Sequence, residues 1–150
     1  MNKRNLVIRA YVPETDTQQL SQIWLDAALI AHAFVGEVTL LEQRSLIENV
    51  YLPKAETSVA CLDAEPVGFI SLIGTFVGGL FVAPACQGRG IGRMLIDHAL
   101  AKTNELSLDV YTANAGAMRF YQRLGFVERS RRPVDNEGLP FEITQMHLSR

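Results

Sequence analysis

The chain of 150 residues is poor in cysteine: Cys61 and Cys86 are the only two, with no CxxC pair and no Cys/His ligand spacing. A disulfide framework and a structural zinc site therefore have nothing to stand on, and no metal is expected. Basic excess is missing as well. A net charge of −2 leaves no counterion-release footprint for coating nucleic acid. No apolar run is long enough to cross a bilayer, since the best stretch, Ile23 to Val35, is short and carries Asp26 and His32. Lys3 and Arg4 lead into Arg9, Pro13 and Glu14 rather than into the apolar heart of a secretory signal. These absences predict a cytoplasmic protein with no membrane and no nucleic-acid partner. No GxSxG elbow occurs, which disfavours a serine hydrolase.

What is present reads as one compact domain. With 48% apolar and 20% charged residues, the chain can build a full core at this length. Leu6 to Val12 reads as a strand ended by Pro13. Asp16 or Thr17 would cap a helix carrying Leu20, Ile23, Trp24, Ala27 and Ala28 at helical spacing. A second helix over about Leu40 to Tyr51 would stop before Pro53. The period then changes: Ser58 to Leu62, Val67 to Ile73 and Phe76 to Val82 read as strands, with turns at Ala64-Glu-Pro66 and Gly74.

A helix from about Gly90 to Lys102 follows, then an alternating strand, Leu106 to Tyr111. Asn114 would cap a helix bearing Ala117, Phe120, Tyr121 and Leu124, with Gly125 closing it; Phe126 to Arg132 and Phe141 to Leu148 read as the last strands. Hairpins in the middle and helical crossovers around them predict an α+β fold. Its sheet is mixed and mostly antiparallel, of about six or seven strands, with flanking helices.

The most informative segment is Gln87-Gly-Arg-Gly-Ile-Gly92, set between an apolar strand and a helix. A glycine-dense turn at a helix N-terminus offers unpaired N–H groups and the positive end of the helix dipole, which suits phosphate. Two rival readings fail. Gly92 is followed by Arg93 and Met94 rather than Lys-Ser/Thr, so the turn is no P-loop. A dinucleotide fingerprint starting at Gly88 needs glycine where Arg93 stands, although Asp109 lies at a suitable distance for a ribose contact. A purely structural turn would hardly need three glycines in five residues, each costing roughly 0.5–1 kcal/mol against alanine inside an element. The crowd Arg119, Arg123, Arg129, Arg131 and Arg132 reads either as an anion-facing patch or as solvated faces.

Gln87-x-x-Gly90-x-Gly92 after Leu80-Phe-Val-Ala-Pro84 resembles the acetyl-CoA motif of the GNAT superfamily of N-acetyltransferases. Asn114-x-x-Ala117-x-x-Phe120-Tyr121-x-x-x-Gly125-Phe126 resembles its second motif, so the match covers about Phe76 to Phe126. The tail Asp135-x-x-Gly138-x-Pro140-Phe141, with His32-x-Phe34, resembles a group of small bacterial members, those of the YjaB type. The resemblance implies a GNAT-like acyl-CoA N-acyltransferase fold and transfer of acetyl from acetyl-CoA to a primary amine, of a small molecule or a protein, by direct attack in a ternary complex. A non-catalytic CoA-binding domain is the alternative. It also implies that the amides of Gly88, Arg89, Gly90, Ile91, Gly92 and Arg93, beside Gln87, hold the diphosphate. Leu80, Phe81 and Val82 would run beside the pantetheine arm in a gap between two splayed strands, and Asn114 would bind that arm, cap its helix, or both. A homodimer is common for such proteins.

The chemistry needs a neutral amine, a donor for the oxyanion and a proton or hydrogen bond for the departing thiolate. Deprotonating an amine of pKa ~10.4 at pH 7 costs on the order of 4–5 kcal/mol. By resemblance, the N–H of Val82 is the oxyanion donor and Tyr121 the general acid. A phenol of pKa ~10 gives its proton uphill to a thiolate of ~8.5, so Tyr121 would serve sulfur mainly by hydrogen bonding. Many relatives carry a carboxylate where this chain has Gly78 and Gly79. Asp109, His32 or a water chain is left as the base. The first two helices and the Arg131 to Phe141 loop would form the acceptor pocket, with Trp24, His32 and Phe34 among its residues.

Overall fold

A computed structural model of the chain describes residues 5–150. A seven-stranded sheet in the order β1-β2-β3-β4-β5-β7-β6 carries helices on both faces. The chain enters through β1 (Leu6–Ala10), crosses over α1 (Pro13–Ala31) and α2 (Glu37–Leu46), and passes a π-helical turn (Ile47–Tyr51) and the one-turn α3 (Leu52–Lys54). The antiparallel β2 (Glu56–Leu62), β3 (Glu65–Ile73) and β4 (Phe76–Val82) follow. Then come α4 (Ile91–Thr103), β5 (Glu105–Tyr111), α5 (Ala115–Leu124), β6 (Val127–Arg132) and β7 (Ile143–Ser149). Only the β4–β5 pair is parallel among the described strands, and β7 inserts between β5 and β6. The α+β expectation holds, with seven strands.

Two apolar layers sandwich the sheet. Alternation along β2 sends Ala60 and Leu62 to one side and Val59 and Cys61 to the other. The first side packs Leu106, Leu108 and Val110 of β5 against Ile91, Leu95, Ile96 and Ala99 of α4. The second packs Val59 and Phe69 against Leu20, Trp24 and Leu40 of the first two helices. Leu20, Leu40 and Leu95 are at most 1% exposed, and each contributes about 1.5–3 kcal/mol relative to an exposed position.

Two helices depart from the sequence expectation at their ends. Helix α1 begins at Pro13, not at an Asp16 or Thr17 cap. Proline suits the first helical position because its missing N–H would have no partner there. Asp16 instead ties strand to helix: its carboxylate takes the Val12 N–H (2.8 Å) and both terminal nitrogens of Arg9 (2.7 and 2.8 Å). The second helical stretch starts at Glu37 and runs through Pro53. In the π turn the Leu52 N–H reaches back to the Ile47 carbonyl. That register change puts Pro53 in the opening of a new turn, where a missing donor is tolerated.

Candidate active site

The site begins with a bulge. β3 and β4 pair in step from Gly68↔Val82 to Ser71↔Gly79, then jump to Leu72↔Val77, so Gly78 is an extra residue on β4. A bulge bends its strand and sharpens the twist. β4 accordingly keeps β5 for only two pairs, Phe76↔Ser107 and Val77↔Leu108, which end at the bulge. Beyond it the strands part. Ala83 N–H donates to Val67 C=O (2.8 Å), and the alternation of an antiparallel ladder then turns the main-chain groups of Leu80 and Val82 away from β3, toward the gap. The gap opens into a cavity of about 840 Å³.

At one end of this cavity sits the glycine turn. Gly88 (φ +79°) and Gly90 (φ +81°) adopt left-handed backbone, and a Cβ on either would meet no protein atom. Gly92 has a different reason: a Cβ there would lie 3.1 Å from the Phe120 ring, so it lets α4 and α5 close on each other. The first bond of α4 runs from Met94 N–H to Gly90 C=O (3.0 Å). The amides of Ile91, Gly92 and Arg93 therefore precede the helical ladder, and no side chain caps them. Gln87 anchors the turn to β4, its Nε2 donating to Val82 C=O (3.1 Å).

Tyr121 lies further in, on α5. Its ring packs edge-on against Phe120 and Phe126 (centroids 5.2 and 5.4 Å) and lines the cavity. Its hydroxyl makes no hydrogen bond within the described protein. Burial pushes the phenol pKa above its ordinary value, so the group stays protonated at neutral pH. Asn114 starts the same helix as expected, its Oδ1 accepting from Ala117 N–H (3.1 Å), while its Nδ2 faces His32 Nε2 at 3.4 Å. The His32 imidazole is held down to about 4 by burial and is neutral at pH 7.

Asp109 projects from β5 on the face opposite Leu108, and the Arg132 Nη2 donates to its Oδ2 at 2.8 Å. Its other oxygen, Oδ1, is buried without a hydrogen-bond partner. Asp109, His32 and Trp24 line the same cavity as Leu80, Phe81, Val82, Gln87, Gly88, Gly90, Ile91, Gly92, Arg93 and Tyr121. Two expected residues do not. Arg89 is exposed on the turn and lies outside the lining. Phe34 packs instead on the rings of Tyr111 and Phe141 (5.2 Å each), behind the wall that His32 forms. Of the two glycines at the position expected for a carboxylate, Gly79 has a packing reason, because a Cβ there would meet the Phe81 ring at 3.1 Å, whereas a Cβ on Gly78 would make only ordinary contacts. The arginine crowd divides: Arg131 pairs with Glu128 and Glu142, and Arg132 with Asp109.

Sequence reasoning passed over several lining residues, among them Tyr51, Gln43 and Glu137. None belongs to a recognisable short motif. Among the described residues, no group of three or more His, Cys, Asp or Glu is placed to hold a metal ion, and no helix is long and apolar enough to cross a membrane.

A splayed parallel pair fed by an amide-rich turn, with an unbonded phenol at its inner end, defines the class of acyl-CoA-dependent N-acyltransferases. Residues 53–128 match the Acetyltransferase (GNAT) domain family, and the chain belongs to it. Over 130 residues it is 35% identical to the peptidyl-lysine N-acetyltransferase YjaB of Salmonella typhimurium, spanning 86% of this chain and 89% of that one. The solution structure of apo YjaB from Escherichia coli is similar with a TM-score of 0.87 at 32% identity, covering 95% of this chain and 97% of that one. The fold is shared with the putative acetyltransferase yncA of Salmonella typhimurium, solved with its cofactor acetyl-CoA, at a TM-score of 0.70, 21% identity and coverage of 97% and 94%. The chain is an acetyl-CoA-dependent N-acetyltransferase.

Proposed function

We propose that the chain moves acetyl directly from acetyl-CoA to the side-chain amine of a lysine in a peptide or protein, both substrates being bound at once. The observation that carries this is the parting of β4 from β5 at Gly78, which leaves the main chain of Leu80 and the N–H of Val82 open to the cavity between the glycine turn and Tyr121. The amides of Gly88 to Arg93 hold the diphosphate, and Leu80 to Val82 pair with the pantetheine amides as a neighbouring strand would. Asn114 offers its Nδ2 to the arm, since its Oδ1 is already taken by the helix cap. Arg89 contributes only its main chain.

The attacking amine must lose a proton. We assign this step to Asp109, supported by its place in the cavity lining and by an Oδ1 that no protein group engages, while Arg132 fixes the other oxygen. As nitrogen adds to the thioester carbon, charge builds on the carbonyl oxygen, and the Val82 N–H meets it. When the C–S bond breaks, the Tyr121 hydroxyl hydrogen-bonds the leaving sulfur. Its raised pKa makes full proton transfer more uphill still, which favours that role over complete protonation. Trp24 and His32 shape the acceptor wall. That related proteins are named peptidyl-lysine N-acetyltransferases supports a lysine acceptor over a free small amine.

The test is a screen of the purified chain with isotopically labelled acetyl-CoA against lysine peptides and small amines, read by mass spectrometry and by release of free CoA. Amine-dependent CoA release with label on the lysine nitrogen is expected. CoA release that ignores the amine would contradict the mechanism.

A further inference from the structure

The acceptor end of the cavity carries a carboxylate with no part in the steps above. Between β6 and β7 the chain folds back on Asp135, which is 5% exposed. Its Oδ1 accepts the N–H groups of Glu137 (3.0 Å) and Leu139 (2.9 Å), and its Oδ2 accepts the Tyr111 hydroxyl (2.8 Å). The Gly138 N–H closes the reversal onto the Asp135 carbonyl (3.1 Å), with Gly138 at φ +78°. This knot fixes Glu137 on the cavity wall.

Two further segments meet Glu137 there. Gln43 of α2 donates its Nε2 to Oε2 (3.0 Å), and the Tyr51 hydroxyl at the end of the π turn donates to Oε1 (3.4 Å). Single π turns inside helices recur at functional sites. Gln43 and Glu137 also line an adjoining cleft of about 220 Å³, so the pair stands where the two spaces meet.

The charge on Glu137 has no counterpart among the described residues. Both donors are neutral, and among the described residues no Lys, Arg or His forms an ion pair with it. Asp109, by contrast, has Arg132. Among the described residues, Arg93, at the cofactor end, is the only Lys or Arg lining the cavity. A carboxylate held in place by neutral hydrogen bonds, with its charge unmet, is suited to an arriving cation. The Glu137 side chain is exposed at the rim, and partial desolvation there, followed by the neighbouring Asp135 charge, pushes its pKa above the ordinary carboxylate value.

We propose that Glu137 is the specificity-determining residue of the acceptor site, receiving the ammonium form of the lysine side chain and selecting cationic amines over uncharged ones. This rests on the acetyltransferase reading and names what its acceptor end recognises. Attack still needs the neutral amine, so Glu137 acts on capture and not on the chemical step.

The test compares the full chain with its Glu137→Gln variant on two acceptors, a lysine peptide and an aryl amine that is uncharged at neutral pH. For the lysine peptide, kcat/KM is expected to fall about tenfold through KM, the scale of a hydrogen bond to a charged group. The aryl amine and the affinity for acetyl-CoA should be unaffected, so the preference for the cation shrinks. The Gln43→Ala/Tyr51→Phe double variant keeps the charge and should keep most of the preference. An unchanged preference in Glu137→Gln, or equal losses on both acceptors, would overturn the assignment. Failure of the unaltered chain to acetylate either amine is a separate outcome, which would overturn the lysine-transfer mechanism and this assignment with it.

Discussion

In the proposed assignment nearly every group at the cofactor end of the cavity is main chain: the amide and carbonyl of Leu80, the amide of Val82, and the amides that open α4. At the acceptor end the groups we propose are side chains that line the cavity, brought by α1 (His32), the π turn (Tyr51), β5 (Asp109) and the β6–β7 loop (Glu137). A site made of backbone is fixed by the fold and tolerates change in most side chains around it. One made of side chains from four distant segments can be altered one residue at a time without disturbing the first. The division lets one cofactor scaffold serve different acceptors, and it says which substitutions should harm which step.

The sharpest expected contrast is at the chemical centre between the two ends. Tyr121→Phe should lower kcat by roughly 10²-fold or more, the usual scale for a positioned acid, while the Kd for acetyl-CoA from calorimetry stays unchanged. Comparable losses in both would make Tyr121 a packing residue only.

Next in size is a stability effect confined to the acceptor wall. His32 is half-buried, and desolvation holds its pKa to about 4, below the ~6.5 of the unfolded chain. Between those values the unfolded state binds the extra proton, so stability rises with pH. The neutral imidazole's contribution is complete above about pH 6.5 and is lost as pH falls toward 4, by at most about 3 kcal/mol. Urea unfolding from pH 7 to 4.5 should show a shallower loss for His32→Gln than for the unaltered chain. Parallel curves would contradict the burial argument.

Smaller again are the glycines of the turn, which should separate from one another. Gly90→Ala places a side chain at φ +81°, a strain of about 1–2 kcal/mol. Its Cβ meets no protein, so the added atom would crowd the bound diphosphate, and acetyl-CoA affinity should fall about tenfold, equivalent to about 1.4 kcal/mol. Gly92→Ala, pressed against Phe120, should lower Tm through the α4–α5 contact with less effect on affinity. The reverse ranking would place the diphosphate elsewhere. The smallest effect is Asn114→Ala: removing the α5 cap should cost about 1 kcal/mol, or roughly 2–4 °C in Tm, whereas Asn114→Asp keeps the cap and should restore stability but not the contact to the cofactor arm.

The same division explains what could be read from the chain alone. β4, the turn, α4 and the Asn114-capped α5 were legible because each is set by residues a few positions apart: three glycines, a cap, an alternation. That Gly79 carries no side chain becomes intelligible only with the Phe81 ring lying over that position. Pro53 reads as a helix stop until the π turn before it is seen to shift the ladder. Phe34 has the apolar character of a pocket residue, yet whether it faces the cavity or the back of His32 depends on Tyr111 and Phe141, far along the chain. Glu137 carries no local signal at all, being defined by partners 94 and 86 residues away.

The most direct test of the central claim is a crystal structure of the chain with acetyl-CoA bound. The diphosphate should lie within hydrogen-bond distance of the amides between Gly88 and Arg93, with the thioester oxygen beside the Val82 N–H and the sulfur beside the Tyr121 hydroxyl. A cofactor whose diphosphate bypasses that turn, or whose sulfur lies away from Tyr121, would contradict it.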